Sequence, residues 1–146
     1  MTSADERRPI VFDVDAPEPG PEPVALAWAA DAADRRGLPL RLLHAAPPVI
    51  HDLRGFEEET AVRTLHRLLA ESTAGRSMAF PDLELTREVI RGHPVEELAM
   101  ASEHTLAVVV GRRGRGGFTG MRIGSLPHGL LHRAHCLVVT VPRFPS

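Results

Sequence analysis

A run with an apolar side chain at every position, only five residues long, has few places to go in a folded chain. Leu106–Ala107–Val108–Val109–Val110 is such a run. It is far short of the roughly 18–20 residues that cross a bilayer. It is rich in β-branched valine and shows no polar alternation, so it reads as a strand buried on both faces, as in the interior of a parallel sheet. The run stops at Gly111 and crosses the Arg- and Gly-rich stretch to Gly120. It closes with Gly124–Ser125 ahead of Leu130–Leu131. That order predicts a buried strand, a flexible loop facing an anion, and a helix N-terminus capped by serine.

The rest of the chain repeats the strand-then-helix rhythm. Pro9–Ile10–Val11–Phe12–Asp13–Val14–Asp15 reads as a first strand ending on carboxylates. Alternation sets Val11, Asp13 and Asp15 on one side and Ile10, Phe12 and Val14 on the other. Four prolines between Ala16 and Pro23 make a stiff loop. Val24–Arg36 is alanine-rich and suits a helix, with Leu26, Ala27, Ala30 and Ala33 as its inward stripe; Trp28 falls off that stripe. Arg35 and Arg36 suit its C-terminal dipole, and Gly37 its end. A second strand follows over Leu38–Ala45, and a long helix over Phe56–Ala74. A third strand is expected around Glu84–Ile90, and a short helix with Val95, Leu98 and Ala99 inward. After the glycine loop come a helix at Leu126–Arg133 and a fifth strand at Cys136–Val141. Strict alternation of strands and helices implies one α/β domain, a parallel sheet with helices on both faces. The expected domain is 9–142, with tails at 1–8 and 143–146. In such sheets ligands bind beyond the strand C-termini where the winding reverses. With the first strand beside the fourth, Asp13, Asp15, Ala45 and Gly111 would line one crevice.

Charge sharpens the picture. The net charge is −2, yet all 19 acidic residues lie at or before Glu103, while from His104 onward there are six arginines and no acid. The glycine loop therefore lies in a cationic third of the chain, which favours an anion site over a diffuse nucleic-acid patch. A polar start with charges of both signs and no apolar stretch predicts a cytoplasmic protein with no membrane span. Cys136 is the single cysteine, so no intrachain disulfide or multi-cysteine zinc site is expected, and its apolar setting suggests a buried thiol. His128 and His132 share a helix face near His135, but no carboxylate neighbours them in sequence to complete a zinc site. No nucleophile elbow or evident base for water stands out.

Three phosphate signatures compete for the loop. A Walker loop needs a lysine, and the chain has none. The Gly-x-Gly-x-x-Gly dinucleotide fingerprint fails at Thr119 and follows the wrong strand. Gly-x2-Gly-x9-Gly-Ser is met in full by Gly111, Gly114, Gly124 and Ser125. Glycine lets the backbone approach phosphate oxygens without a Cβ, and a helix start adds N–H donors. With this motif after a late strand, the chain resembles the nucleotide-binding branch of the universal stress protein family. Further points of likeness are Ile10–Asp15, the turn Arg35–Leu40, Leu42–Ala45, Gly92–His93–Pro94 and Cys136–Val141.

The resemblance implies a Rossmann-like fold of the adenine nucleotide alpha hydrolase type, a five-stranded parallel sheet of order 3-2-1-4-5. It implies homodimers paired through the last strand, and ATP as ligand, with ADP and AMP left open. Val14, Asp15 and Ala45 would lie near adenine and ribose, with Asp13 beside them. Gly111, Arg113, Gly114, Arg115, Gly124, Ser125 and Leu126 would surround the phosphates. Asp13 and Asp15 share a strand side and suit Mg²⁺ held with a bound phosphate; the alternative is a strand-end turn acceptor. One departure stands out. The family's usual Gly-Val-Asp-Gly-Ser is here Asp13–Val14–Asp15–Ala16–Pro17, so a carboxylate replaces glycine beside the expected base. An inward-pointing Asp13 narrows the pocket or repels phosphate, which leaves a nucleotide-free homodimeric interaction module as the alternative.

Overall fold

The computed structural model describes residues 7–14, 24–46, 63–64, 66–67, 70, 79–111 and 125–141. Its strands are β1 (Ile10–Asp13), β2 (Leu40–Ala46), β3 (Leu85–Arg91), β4 (Ala107–Gly111) and β5 (Leu137–Val141). They form one five-stranded sheet in the order β3-β2-β1-β4-β5, and every neighbouring pair is parallel. Among the described residues the long helices are Val24–Arg36, Pro94–Ala101 and Ser125–Arg133. Of the helix expected over Phe56–Ala74, residues 63, 64, 66, 67 and 70 are described and helical; the rest lies outside the described residues, as do the prolines at 17–23.

The sheet separates two apolar layers, as the alternation in β1 requires. Ile10, Phe12, Leu40, Leu42 and Val109 pack against the first helix on one face. Val11, Leu43, Val108 and Val110 pack with Leu98 of the Pro94 helix and Leu130 of the Ser125 helix on the other. Each fully buried leucine or valine contributes roughly 1.5–3 kcal/mol through removal of apolar surface from water. The central position of β4, between β1 and β5, explains why it needs no polar alternation.

Three of the four residues expected on the inward stripe of the first helix, Leu26, Ala30 and Ala33, are buried, and Ala27 is the exception. Ala25, Leu26, Ala29, Ala30, Ala32 and Ala33 are buried, whereas Ala27 is only half-buried and Trp28 is exposed. Alanine is so frequent here that hydrophobicity does not choose a face. Gly37 ends the helix at φ +65, a conformation that glycine adopts without steric cost.

The bottom edge carries a polar latch. Ser102 and Thr105 are fully buried. The Ser102 hydroxyl donates to the Ala99 carbonyl (2.6 Å) and accepts from the His135 N–H (2.9 Å), tying the end of the Pro94 helix to the entry of β5. Thr105 donates to the Ala101 carbonyl at 2.6 Å. Cys136 is half-buried, less enclosed than expected, and packs at the margin of the second core. Burial pushes its thiol above the ordinary value, partly offset by a backbone hydrogen bond at Val108 and by the charge of Arg8.

Candidate functional site

The winding reverses between β1 and β4, because the chain goes from β1 outward to β2 and β3 and then returns to β4 on the other side. The paired register Phe12–Val109, continued by two residues, brings Val14 level with Gly111. Asp13, Ala45 and Gly111 lie at or near the C-terminal ends of β1, β2 and β4, which are neighbours in the sheet, with Val14 just beyond β1. Asp15, Arg113, Gly114, Arg115 and Gly124 lie outside the described residues.

Each described member has a distinct setting. Asp13 is buried and follows Val11 on the face covered by the Pro94 and Ser125 helices. Val14 leans against the opposite layer with Phe12. Its N–H donates to the Leu43 carbonyl at 2.9 Å. Ala45 is buried near the end of β2, which runs on to Ala46 after β1 has stopped. Gly111 ends β4 close to the start of the first helix, where a Cβ built on it would come 3.3 Å from the Ala25 Cβ. Glycine there lets strand end and helix start approach each other.

Ser125 and Leu126 begin the nine-residue helix Ser125–Arg133. A helix that leads from the top of β4 back to the bottom of β5 has its N-terminus at the crevice end of the sheet. Its first turn holds no acidic side chain, and neither does that of the first helix. The Pro94 helix, by contrast, carries Glu96 and Glu97 in its first turn. The positive ends of the two crevice-side helices are thus not neutralised from within, which suits a bound anion.

One residue at this site escaped the sequence reading. His44 Nδ1 lies 2.7 Å from the Val14 carbonyl oxygen. A carbonyl only accepts, so Nδ1 is the donor. The sequence carries His44 in plain view within Leu42–Ala45, but nothing local tells that its ring reaches β1. Elsewhere, the rings of His128 and His132 meet edge to face at 4.9 Å. Among the described residues no group of three His, Cys, Asp or Glu is placed to hold a metal ion. Also among them, no helix is long and apolar enough to cross a membrane.

The model of the universal stress protein family matches residues 6–142. The universal stress protein Rv2005c of Mycobacterium tuberculosis is 37% identical over 117 residues, covering 80% of this chain and 40% of its own length. The chain therefore spans less than half of this curated relative. A universal stress protein from Archaeoglobus fulgidus, solved in complex with dAMP, has 19% identity and a TM-score of 0.58. The match covers 91% of this chain and 96% of that one. A universal stress protein family protein from Arabidopsis thaliana, solved with AMP bound, has 17% identity and a TM-score of 0.61, covering 95% and 96%.

Proposed function

This chain belongs to the universal stress protein family, and from that premise we propose that it binds ATP or a related adenine nucleotide and acts as a cytoplasmic stress-response sensor or switch. The observation that carries this reading is the placement of Gly111 beside β1 at the reversal of the sheet, with the Ser125 helix starting after the same loop. Adenine nucleotides in two solved relatives support the ligand class. On this reading Val14 and Ala45, with Asp13 and Asp15, take the base and ribose. The phosphates lie against Gly111, Arg113, Gly114, Arg115, Gly124, Ser125 and Leu126, with Mg²⁺ accompanying them on the aspartates. A helix terminus contributes about 0.3–1 kcal/mol per exposed charge, so the loop N–H groups supply most of the phosphate affinity.

Calorimetric titration of nucleotide-stripped protein with ATP tests the proposal, and absence of heat at millimolar ATP refutes it. Gly114→Ala combined with Gly124→Ala abolishes binding, because new Cβ atoms occupy the phosphate path. A nucleotide-free homodimeric module is the competing reading, favoured by the buried carboxylate of Asp13 at the base end. Nucleotide released on denaturing freshly purified protein discards it. Either way a homodimer through β5 is expected. That strand is a sheet edge, and Leu137 on it is 65% exposed. A monomer in light scattering at micromolar concentration refutes the dimer.

A further inference from the structure

The ends of β1 and β2 hold a side chain where a ladder bond would otherwise form. The two strands pair in register up to Asp13–Leu43. The bonds from the Ile10 N–H to the Pro39 carbonyl and from the Val14 N–H to the Leu43 carbonyl fix which residues face across. In a parallel ladder of that phase, Leu43 and Ala45 turn both backbone groups toward β1, whereas His44 turns its own toward β3. The atom that the Ala45 N–H would meet if pairing went one step further is the Val14 carbonyl oxygen. His44 Nδ1 donates to that oxygen at 2.7 Å.

Resting on the nucleotide-binding reading above, we propose that His44 is a positioning residue for the base. By engaging the Val14 carbonyl it ends β1–β2 pairing at Asp13 and keeps the Ala45 backbone pair directed at the crevice. That pair, one N–H and one C=O on the same side of the strand, matches the acceptor N1 and donor N6 amine of adenine. It mismatches hypoxanthine, whose N1 is a donor and whose C6 carries an oxygen. The imidazole therefore sets base selectivity without itself touching the base. Val14 is tied to β2 through both its N–H and its C=O, so the edge of the pocket is rigid before ligand arrives, which lowers the ordering cost of binding.

The test titrates wild type, His44→Leu and His44→Asn with ATP and with ITP, which differs from ATP only at the N1–C6 edge. Wild type prefers ATP. His44→Leu loses roughly tenfold in ATP affinity, the value of one misplaced hydrogen bond, with little change for ITP, so the ATP-to-ITP ratio falls toward one. His44→Asn restores the ratio, because its amide nitrogen occupies nearly the position of Nδ1. A ratio unchanged in His44→Leu overturns the proposal and leaves nucleotide binding standing, as does a wild type without preference. A wild type that binds neither nucleotide overturns both. Should His44→Leu fail to fold, long-range proton–nitrogen correlation on wild type decides: a proton on Nδ1 supports the proposal, and a ring protonated at Nε2 alone overturns it.

Discussion

Replacing Gly129 by alanine sets two opposed effects against each other, and the structure decides between them. Gly129 lies inside the Ser125–Arg133 helix, where alanine would ordinarily gain about 1 kcal/mol in helix propensity. A Cβ at this position, however, would lie 3.1 and 3.2 Å from the two γ-methyl groups of Val95 on the neighbouring Pro94 helix. Carbon atoms prefer roughly 3.5–4.0 Å. Valine cannot turn aside, because a helical β-branched side chain is held in one rotamer about 90% of the time. The two helices must therefore separate by a few tenths of an ångström, which also loosens Leu98 and Leu130 in the layer between them. Overpacking of this kind costs about 1–3 kcal/mol, so Gly129→Ala is expected to be about 1 kcal/mol less stable in net. Urea unfolding at unchanged m-value measures it, with a fall in melting temperature of about 2–4 °C for a chain of this size. Adding Val95→Ala removes the obstructing methyl groups, so Gly129→Ala should then cost less or become favourable, a coupling that a double-mutant cycle isolates. A Gly129→Ala variant about 1 kcal/mol more stable than wild type would refute the reasoning, since it would mean that propensity outweighs the contact with Val95.

Ser102→Ala removes a fully buried hydroxyl and leaves the His135 N–H, in a part-buried bond, without its acceptor, so it should cost about 1 kcal/mol or more in urea unfolding; a change below about 0.5 kcal/mol, typical of a surface site, would count against the latch. Leu98→Ala, at a side chain with no exposure on the sheet side of its helix, should cost about 2–5 kcal/mol by the same measurement, and a cost under 1 kcal/mol would show that the second layer collapses around the gap. Cys136 allows a pH test, because the chain contains neither lysine nor tyrosine and little else titrates in the alkaline range. Its folded pKa is raised, so the native state holds this proton more tightly than the unfolded chain. That contribution is complete below the ordinary thiol value of about 8.5 and is lost as pH rises through the shifted value. Stability should therefore decline in that window for wild type and stay flat for Cys136→Ala; parallel profiles for the two proteins would exclude the linkage.

The parts of this fold that the sequence made legible are those whose physics is local or periodic. Period-two alternation in Ile10–Val14 assigned each side chain to its layer, and the apolar run at Val108–Val110 required a central strand. Once the sheet order was known, the strand-ending Gly111 had to stand at the reversal. The first helix was harder, because its mostly alanine sequence is equally content with several faces: Leu26, Ala30 and Ala33 face inward as its spacing suggested, but Ala29 and Ala32 are buried with them and Ala27 is not. Ser102 and His44 were invisible for a different reason. Their partners, 33 and 30 residues away, are backbone atoms, and a backbone atom has no residue type by which a sequence could announce it. The same reasoning bears on the candidate site. On the reading proposed above, its phosphate half is written in glycines, which declare themselves, whereas its base half would depend on backbone groups of Val14 and Ala45 whose availability is set by a side chain on β2. On that same reading a substitution at Asp13 alters what the pocket's wall carries, but the hydrogen-bonding edge offered to a base is built from main chain. That edge can persist where the family's usual side chains have changed, provided that His44 still holds the Val14 carbonyl.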